Sequence, residues 1–328
     1  MNSPTPPFTT GTPSSEAKQG AALFLITGAT GNTGDITVRL LLQRGHRVRA
    51  FVHRSDARSE SLGADGAEIV VGDLLNFPAV SAAMRGVTGA YFCYPIAPGL
   101  LDAIAIFAQA ASEAGVKAVV NMSQISARRE ANSNAARQHW IGERLLDRTA
   151  MQTAHLRPTF FAEWLTWYWN HRVNEGVLRL PFGNGRHAPI AGKDQAYVIA
   201  AILENPDPHD RQIYPLYGPV EMNHYEIADA ISKTLGIPVR YESLEVATFA
   251  EGLKAKGFPP HLVQHLSNVA VDYQNGIFAG TNNLVEVIGN RTPMTVGDYV
   301  NANKEAFSKD GRYAITWTPA HASKVPKT

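Results

Sequence analysis

The sequence predicts an α/β fold built on a doubly wound parallel sheet, with a smaller C-terminal α+β lobe. Three observations predict it. Short apolar runs alternate with amphipathic segments over residues 22–157, a glycine-rich turn joins the first run to the first helix, and the alternation loosens beyond residue 158. Apolar runs too short for helices suit strands covered on both faces. The helices between them supply the crossovers that parallel strands need.

In order, residues 22–27 (ALFLIT) form the first strand. Residues 33–44 follow with Ile36, Val38, Leu40, Leu41 and Leu42 apolar, and Gly45 supplies the helix stop. Strand-like runs come at 46–52, 68–71, 90–94 and 118–122, with helices near 78–85 and 99–115 closed by Gly86 and Gly115. A helix at 134–148 leads into a sixth strand at 153–157, which Pro158 stops. Residues 21–158 are thus assigned to the sheet domain and 159–310 to the lobe, some of whose strands can join the main sheet. Within the lobe, 176–192 is loop-rich and 194–204 reads as an isolated helix. Asn223-His224-Tyr225-Glu226 is a capping box opening a helix that runs to Leu235, and Thr295-Val296-Gly297-Asp298 is a weaker one opening the last helix. Residues 1–20, rich in Pro, Ser and Thr, read as a disordered tail and not as a secretory segment; 311–328 read as loosely ordered.

Composition narrows the function classes. The 328 residues are 45% hydrophobic, enough for a large core, and 30 basic against 29 acidic residues give a net charge of +1. With no basic block, a nucleic-acid or anionic-membrane partner is not expected. No run of about 18 apolar residues occurs, so no membrane helix is expected. The single cysteine, Cys93, allows no internal disulfide and fits a reducing cytoplasm. We therefore expect a cytoplasmic monomer or homodimer acting on a small molecule. His261 and His265 stand four apart, but no Glu follows the first and no third ligand is apparent. They read as surface or packing residues, and no metal site is expected. No Gly-x-Ser-x-Gly elbow suggests a hydrolase.

The turn Gly28-Ala29-Thr30-Gly31-Asn32-Thr33-Gly34 carries the chemistry. It follows a strand and opens a helix, the context in which glycines let backbone N–H groups and a helix N-terminus hold a dinucleotide pyrophosphate. The sheet is then of the Rossmann kind. At the end of the second strand, where an Asp or Glu would hold the ribose hydroxyls of NAD, the chain has His53-Arg54-Ser55, with Arg58 a helical turn further on. A guanidinium matches a 2′-phosphate in charge and fork geometry, which favours NADP(H) over NAD(H). Asp73, after the third strand, either accepts from an adenine amino group or caps the following turn.

These residues resemble the atypical short-chain dehydrogenases of the NmrA-like and quinone-oxidoreductase-like type. The likeness runs over about residues 22–308: ITGATGNTG, RGHRVRAFVHR, VGDL, HLRPTFFAEW, GKDQAYVIAAIL and LVEVIGNRTPMTVGDYVNANKEAF. It implies that Gly28, Thr30, Gly31, Asn32, Thr33 and Gly34 hold the phosphates, Arg54 and Arg58 the 2′-phosphate, and Asp73 with Leu74 the adenine. Tyr94 and Pro95 would line the nicotinamide side, with His139 and Pro158 also at the cofactor.

Ordinary members of the wider group use a Tyr with a Lys four residues later. Aligning HWIGERLL places His139 at the Lys and Ala135 at the Tyr, so the standard proton donor is absent. Ser123 resembles the Ser that orients a substrate carbonyl, and His139, with an ordinary pKa near 6.5, is a candidate proton donor or relay. Each has a plainer alternative: Ser123 as a turn cap, His139 as a ribose ligand. Glu143, four residues on, either orients the imidazole or is a solvated charge. Phe160 and Trp164, with Trp167 or Tyr168, give an aromatic stripe that is core, dimer face or a flat substrate site, with Phe161 beside them in the same segment. Tyr94 and Ser123 complete the substrate set, and His187 lies in a loop that could overhang it. The function expected is NADPH-dependent hydride transfer to a small hydrophobic, aromatic or quinone-like acceptor; the rival is a non-catalytic NADP(H) sensor.

Overall fold

The computed structural model describes residues 22–314. The expected tails at 1–20 and 315–328 lie outside the described residues. The first half runs β1 (Leu23–Thr27), α1 (Gly34–Gln43), β2 (Arg47–Val52), α2 (Ala57–Ala64), β3 (Glu68–Val71), α3 (Phe77–Ala83), β4 (Gly89–Phe92), α4 (Leu100–Glu113), β5 (Ala118–Met122), α5 (Asn134–Leu146) and β6 (Gln152–Pro158). The apolar pattern does not announce α2, which is opened instead by Asp56, whose carboxylate accepts the Arg58 and Ser59 amides. The second half runs α6 (Glu163–Trp167), β7 (Trp169–Arg172), β8 (Glu175–Leu180), β9 (Arg186–His187), α7 (Gly192–Glu204), β10 (Gln212–Leu216), β11 (Met222–Asn223) and α8 (His224–Leu235). It ends with β12 (Val239–Ser243), α9 (Val246–Ala255), α10 (Pro260–Gln274), α11 (Leu284–Val287) and α12 (Val296–Ala302).

Seven strands make one parallel sheet in the order β3-β2-β1-β4-β5-β6-β10. Strand order reverses between β1 and β4, so the crevice for a ligand opens above the carboxyl ends of these two strands. Side chains of β1 alternate between the faces. Phe24 and Ile26 pack with α1 and α7 through Val38, Leu41 and Ile199, and Leu23 and Leu25 pack with α3 and α4 through Met84, Ile104 and Phe107. Each such buried side chain stabilises the fold by about 1.5–3 kcal/mol.

The lobe is a three-stranded sheet, β12-β8-β7, wrapped by α8, α9, α10 and α12 around Trp169, Leu178, Ile227, Phe249 and Tyr273. Both expected capping boxes form, Asn223 with Glu226 and Thr295 with Asp298. The second half does not stay apart from the first. Strand β10 pairs with β6, and α7 packs on α1, so this part of the chain returns to the main sheet. Fully buried Asp194 on α7 takes Arg291 at 2.6 Å and the Met294 amide at 2.8 Å, fastening that helix to the segment before α12. Residues 311–314, expected to be loosely ordered, are held to the lobe: the Gly311 and Tyr313 amides donate to Trp169 and Trp167 carbonyls at 2.8 Å. Among the described residues no helix is long and apolar enough to cross a membrane.

Candidate dinucleotide site and aromatic cavity

The glycine turn between β1 and α1 is shaped by contacts a side chain would prevent. Gly28 has φ +58°, and a Cβ on Gly34 would lie 2.2 Å from the Gly28 carbonyl oxygen. Gly28, Gly31 and Asn32 are exposed, and the amides of Asn32, Thr33 and Gly34 make no hydrogen bond among the described residues. Free amides at the start of a ten-residue helix suit a pyrophosphate. The Thr33 hydroxyl points inward to the Tyr91 hydroxyl at 3.0 Å. Thr33 therefore offers its amide alone.

Past β2, Arg54 is exposed and Arg58 reaches over the turn, its Nη1 3.4 Å from the Thr30 carbonyl oxygen. Arg58 also donates to Asp56 at 2.6 Å, which pulls the Asp56 pKa below its ordinary value. Arg58 thus lines the same surface pocket as Thr30, Gly31 and Asn32 of the turn. Asp73 is exposed, and its Oδ1 accepts the Leu75 amide at 2.9 Å, so the turn-capping role is realised. Leu74 lies beside it, half-buried.

Beyond the switch point a cavity of about 470 Å³ opens at the ends of β4, β5 and β6. Tyr94, Pro95, Ser123, His139, Pro158, Phe160, Phe161 and Trp164, all expected around cofactor or substrate, line it. The aromatic stripe is both core and wall. Phe160 is buried and stacks 4.5 Å from Phe278, while Trp164 lies 4.2 Å from Phe160 and 5.1 Å from Tyr168. The cavity holds orphaned polar atoms: His139 Nδ1 and Thr159 Oγ1 are buried without hydrogen-bond partners.

Two expectations about the chemistry change here. Glu143 is fully buried, not solvated, and accepts from Arg157 at 2.8 and 2.5 Å and from the Ser123 hydroxyl at 2.6 Å. The Ser123 O–H is therefore committed, and the oxygen shows lone pairs to the cavity; it cannot donate to a substrate carbonyl in this state. His139 is buried, and desolvation with the nearby charges of His265 and Arg157 lowers its pKa to about 3. It is neutral near pH 7 and is no imidazolium donor there.

His187 does not overhang the cavity. It is buried under the lobe, 2.5 Å from the Tyr273 hydroxyl and stacked on His224. His265, read as surface or packing, is buried and lines the cavity, as do Gln124, Phe258 and Tyr313. Residues 258–278 carried no signal of this, because the helices bearing them reach the site only through the lobe's packing. Among the described residues no group of acids, histidines and cysteine could hold a metal.

Comparison with known proteins places the chain. It is 28% identical over 287 residues to an NAD(P)H azoreductase of Xenophilus azovorans, covering 87% of this chain and 99% of the relative. Its fold matches that of the NADPH-dependent quinone oxidoreductase QOR2 of Escherichia coli, solved with NADPH, with a TM-score of 0.75 and 23% identity, covering 85% of this chain and 99% of that one. The negative transcriptional regulator NmrA, solved with NAD, has a TM-score of 0.74 at 14% identity, covering 89% and 99%. Residues 21–286 match the NmrA-like family, and the chain is a member of it.

Proposed function

We propose that this protein is an NADPH-dependent reductase of a small, hydrophobic, planar acceptor of aromatic or quinone-like type. The observation that carries the reading is an aromatic cavity at the carboxyl ends of β4, β5 and β6, in the same sheet in which β4 pairs with β1, the strand that leads into the glycine turn. Bound there, the reduced nicotinamide supplies hydride. The amides of Asn32, Thr33 and Gly34 hold the phosphates, beside Gly28, Thr30 and Gly31, while Arg54 and Arg58 select the 2′-phosphate. Tyr94, Pro95, His139 and Pro158 border the nicotinamide end, and Phe160, Phe161 and Trp164 flank the acceptor. Ser123 accepts a hydrogen bond from whatever N–H or O–H is presented to it. With no phenol at Ala135 and a neutral His139, the proton comes from water, which suits electron-poor acceptors that take hydride readily. On this reading 21–158 holds the cofactor, 159–310 shapes the acceptor site, and the protein is a cytoplasmic monomer or homodimer.

The absence of the standard Tyr at position 135 favours the second reading, a regulator that binds NADP(H) without turnover. Incubation with NADPH and a panel of quinones, azo compounds, enones and aldehydes decides between them. Oxidation of NADPH with at least one planar acceptor is expected; tight NADP(H) binding without turnover on any of them leaves the sensor.

A further inference from the structure

Two imidazoles face the aromatic cavity, His139 from α5 and His265 from α10 of the lobe. They differ in how they are held. His139 Nδ1 has no partner to choose its tautomer. His265 Nδ1 lies 2.8 Å from the hydroxyl of Ser133, which is fully buried. That hydroxyl oxygen already accepts the Ala136 amide at 3.1 Å as the cap of α5. Its own proton needs an acceptor, and His265 Nδ1 is the one available among the described residues. Ser133 therefore donates to Nδ1, and the ring's proton resides on Nε2.

Burial keeps this ring neutral, lowering its pKa to about 4 against the opposing pull of Asp272. Asp272 is itself occupied by Arg128, at 2.8 and 2.5 Å. No hydrogen bond among the described residues takes up Nε2, it is not one of the unpartnered atoms shut off from all surface as His139 Nδ1, Gln124 Nε2 and Thr159 Oγ1 are, and its ring lines the cavity. The rest of the wall is largely aromatic and aliphatic. Ser123 offers lone pairs, so the hydrogen bond most needed by an electron-accepting heteroatom has to come from elsewhere.

We infer that His265 presents Nε2–H as a fixed hydrogen-bond donor, selecting planar acceptors that carry a carbonyl oxygen or a doubly bonded nitrogen. The inference rests on the reductase reading and names its substrate class more closely. As hydride forms a new bond to the acceptor, the π pair moves onto the heteroatom, and the Nε2–H bond strengthens to the growing negative charge. Water supplies the balancing proton, and His265 keeps its own.

The test uses 9-fluorenone and fluorene, one flat skeleton with and without a carbonyl, titrated calorimetrically into the NADP-saturated protein. The ratio of their affinities should fall about five- to tenfold in His265→Leu, the worth of one neutral hydrogen bond, and recover in part in His265→Gln. NADPH affinity should hold in both variants, which excludes misfolding, while the thermal midpoint of His265→Leu should fall because Ser133 loses the acceptor of its proton. With NADPH and menadione, His265→Leu should lose at least tenfold in kcat/KM. An unchanged fluorenone-to-fluorene ratio in His265→Leu, or no binding of either compound by the wild type, overturns the inference. Absence of turnover with every acceptor defeats the reductase reading alone, because the affinity ratio still decides the part played by His265.

Discussion

The two ends of the crevice are built on different principles. At the phosphate end the chain uses backbone: a seven-residue turn, free amides and a glycine that admits a carbonyl where a side chain would stand. At the acceptor end it uses side chains brought from the ends of three strands, from α5 and from the lobe. A backbone site recognises what every dinucleotide shares, whereas a side-chain site can be remodelled without disturbing it. On the proposed reading, cofactor binding and acceptor choice are separable properties of this molecule.

The most severe break in that comparison is Gly34→Ala. Its Cβ would meet the Gly28 carbonyl oxygen at 2.2 Å, so NADPH affinity should fall by more than about a hundredfold. Calorimetric titration reads it, and fluorenone binding should survive if the two ends are independent. Next is Glu143→Ala, which strands the Arg157 charge beside the cavity and should lower stability by about 3–5 kcal/mol in urea unfolding. A loss below about 1 kcal/mol would mean that the triad is dispensable.

Acid should test the buried histidines of both halves. The folded pKa values of His139 and His224 lie at about 3 and that of His265 at about 4, all below the ordinary 6.5. Between those values and 6.5 the unfolded chain binds the protons that the native state refuses. Stability is therefore complete above about pH 6.5 and falls by about 1.4 kcal/mol per pH unit for each histidine as pH drops. A thermal midpoint unchanged between pH 7 and 5 would contradict the burial of these rings. The smallest effect belongs to the cofactor edge. Arg54→Ala with Arg58→Ala should reduce the NADPH-over-NADH preference about tenfold, the worth of one charge-assisted bond, without altering fluorenone affinity. No change in preference would remove both arginines as 2′-phosphate ligands.

The same contrast explains what the sequence revealed. The turn from Gly28 to Gly34, the strands and both capping boxes are local, each settled by neighbours within a few positions. Glu143 was misread because helix spacing shows only which residues share its own face. Its partners lie on β6 and just after β5, and they meet it because those strands are adjacent in the sheet. Of the two readings of His265, surface or packing, the structure realises packing, and its partner Ser133 lies 132 positions away. The short strands β7, β8 and β12 escaped notice because their pairing, not their composition, makes them a sheet.

The return of the chain to the main sheet, through α7 and β10, bears on modularity. A fragment ended at Pro158 would leave β6 as an open hydrogen-bonding edge and uncover the apolar face that Val198, Ile199 and Ile202 protect. The dinucleotide half is thus no transplantable cassette. An engineer wishing to exchange acceptor specificity between such proteins would have to swap the loops and helices around the cavity and leave these two returning elements in place.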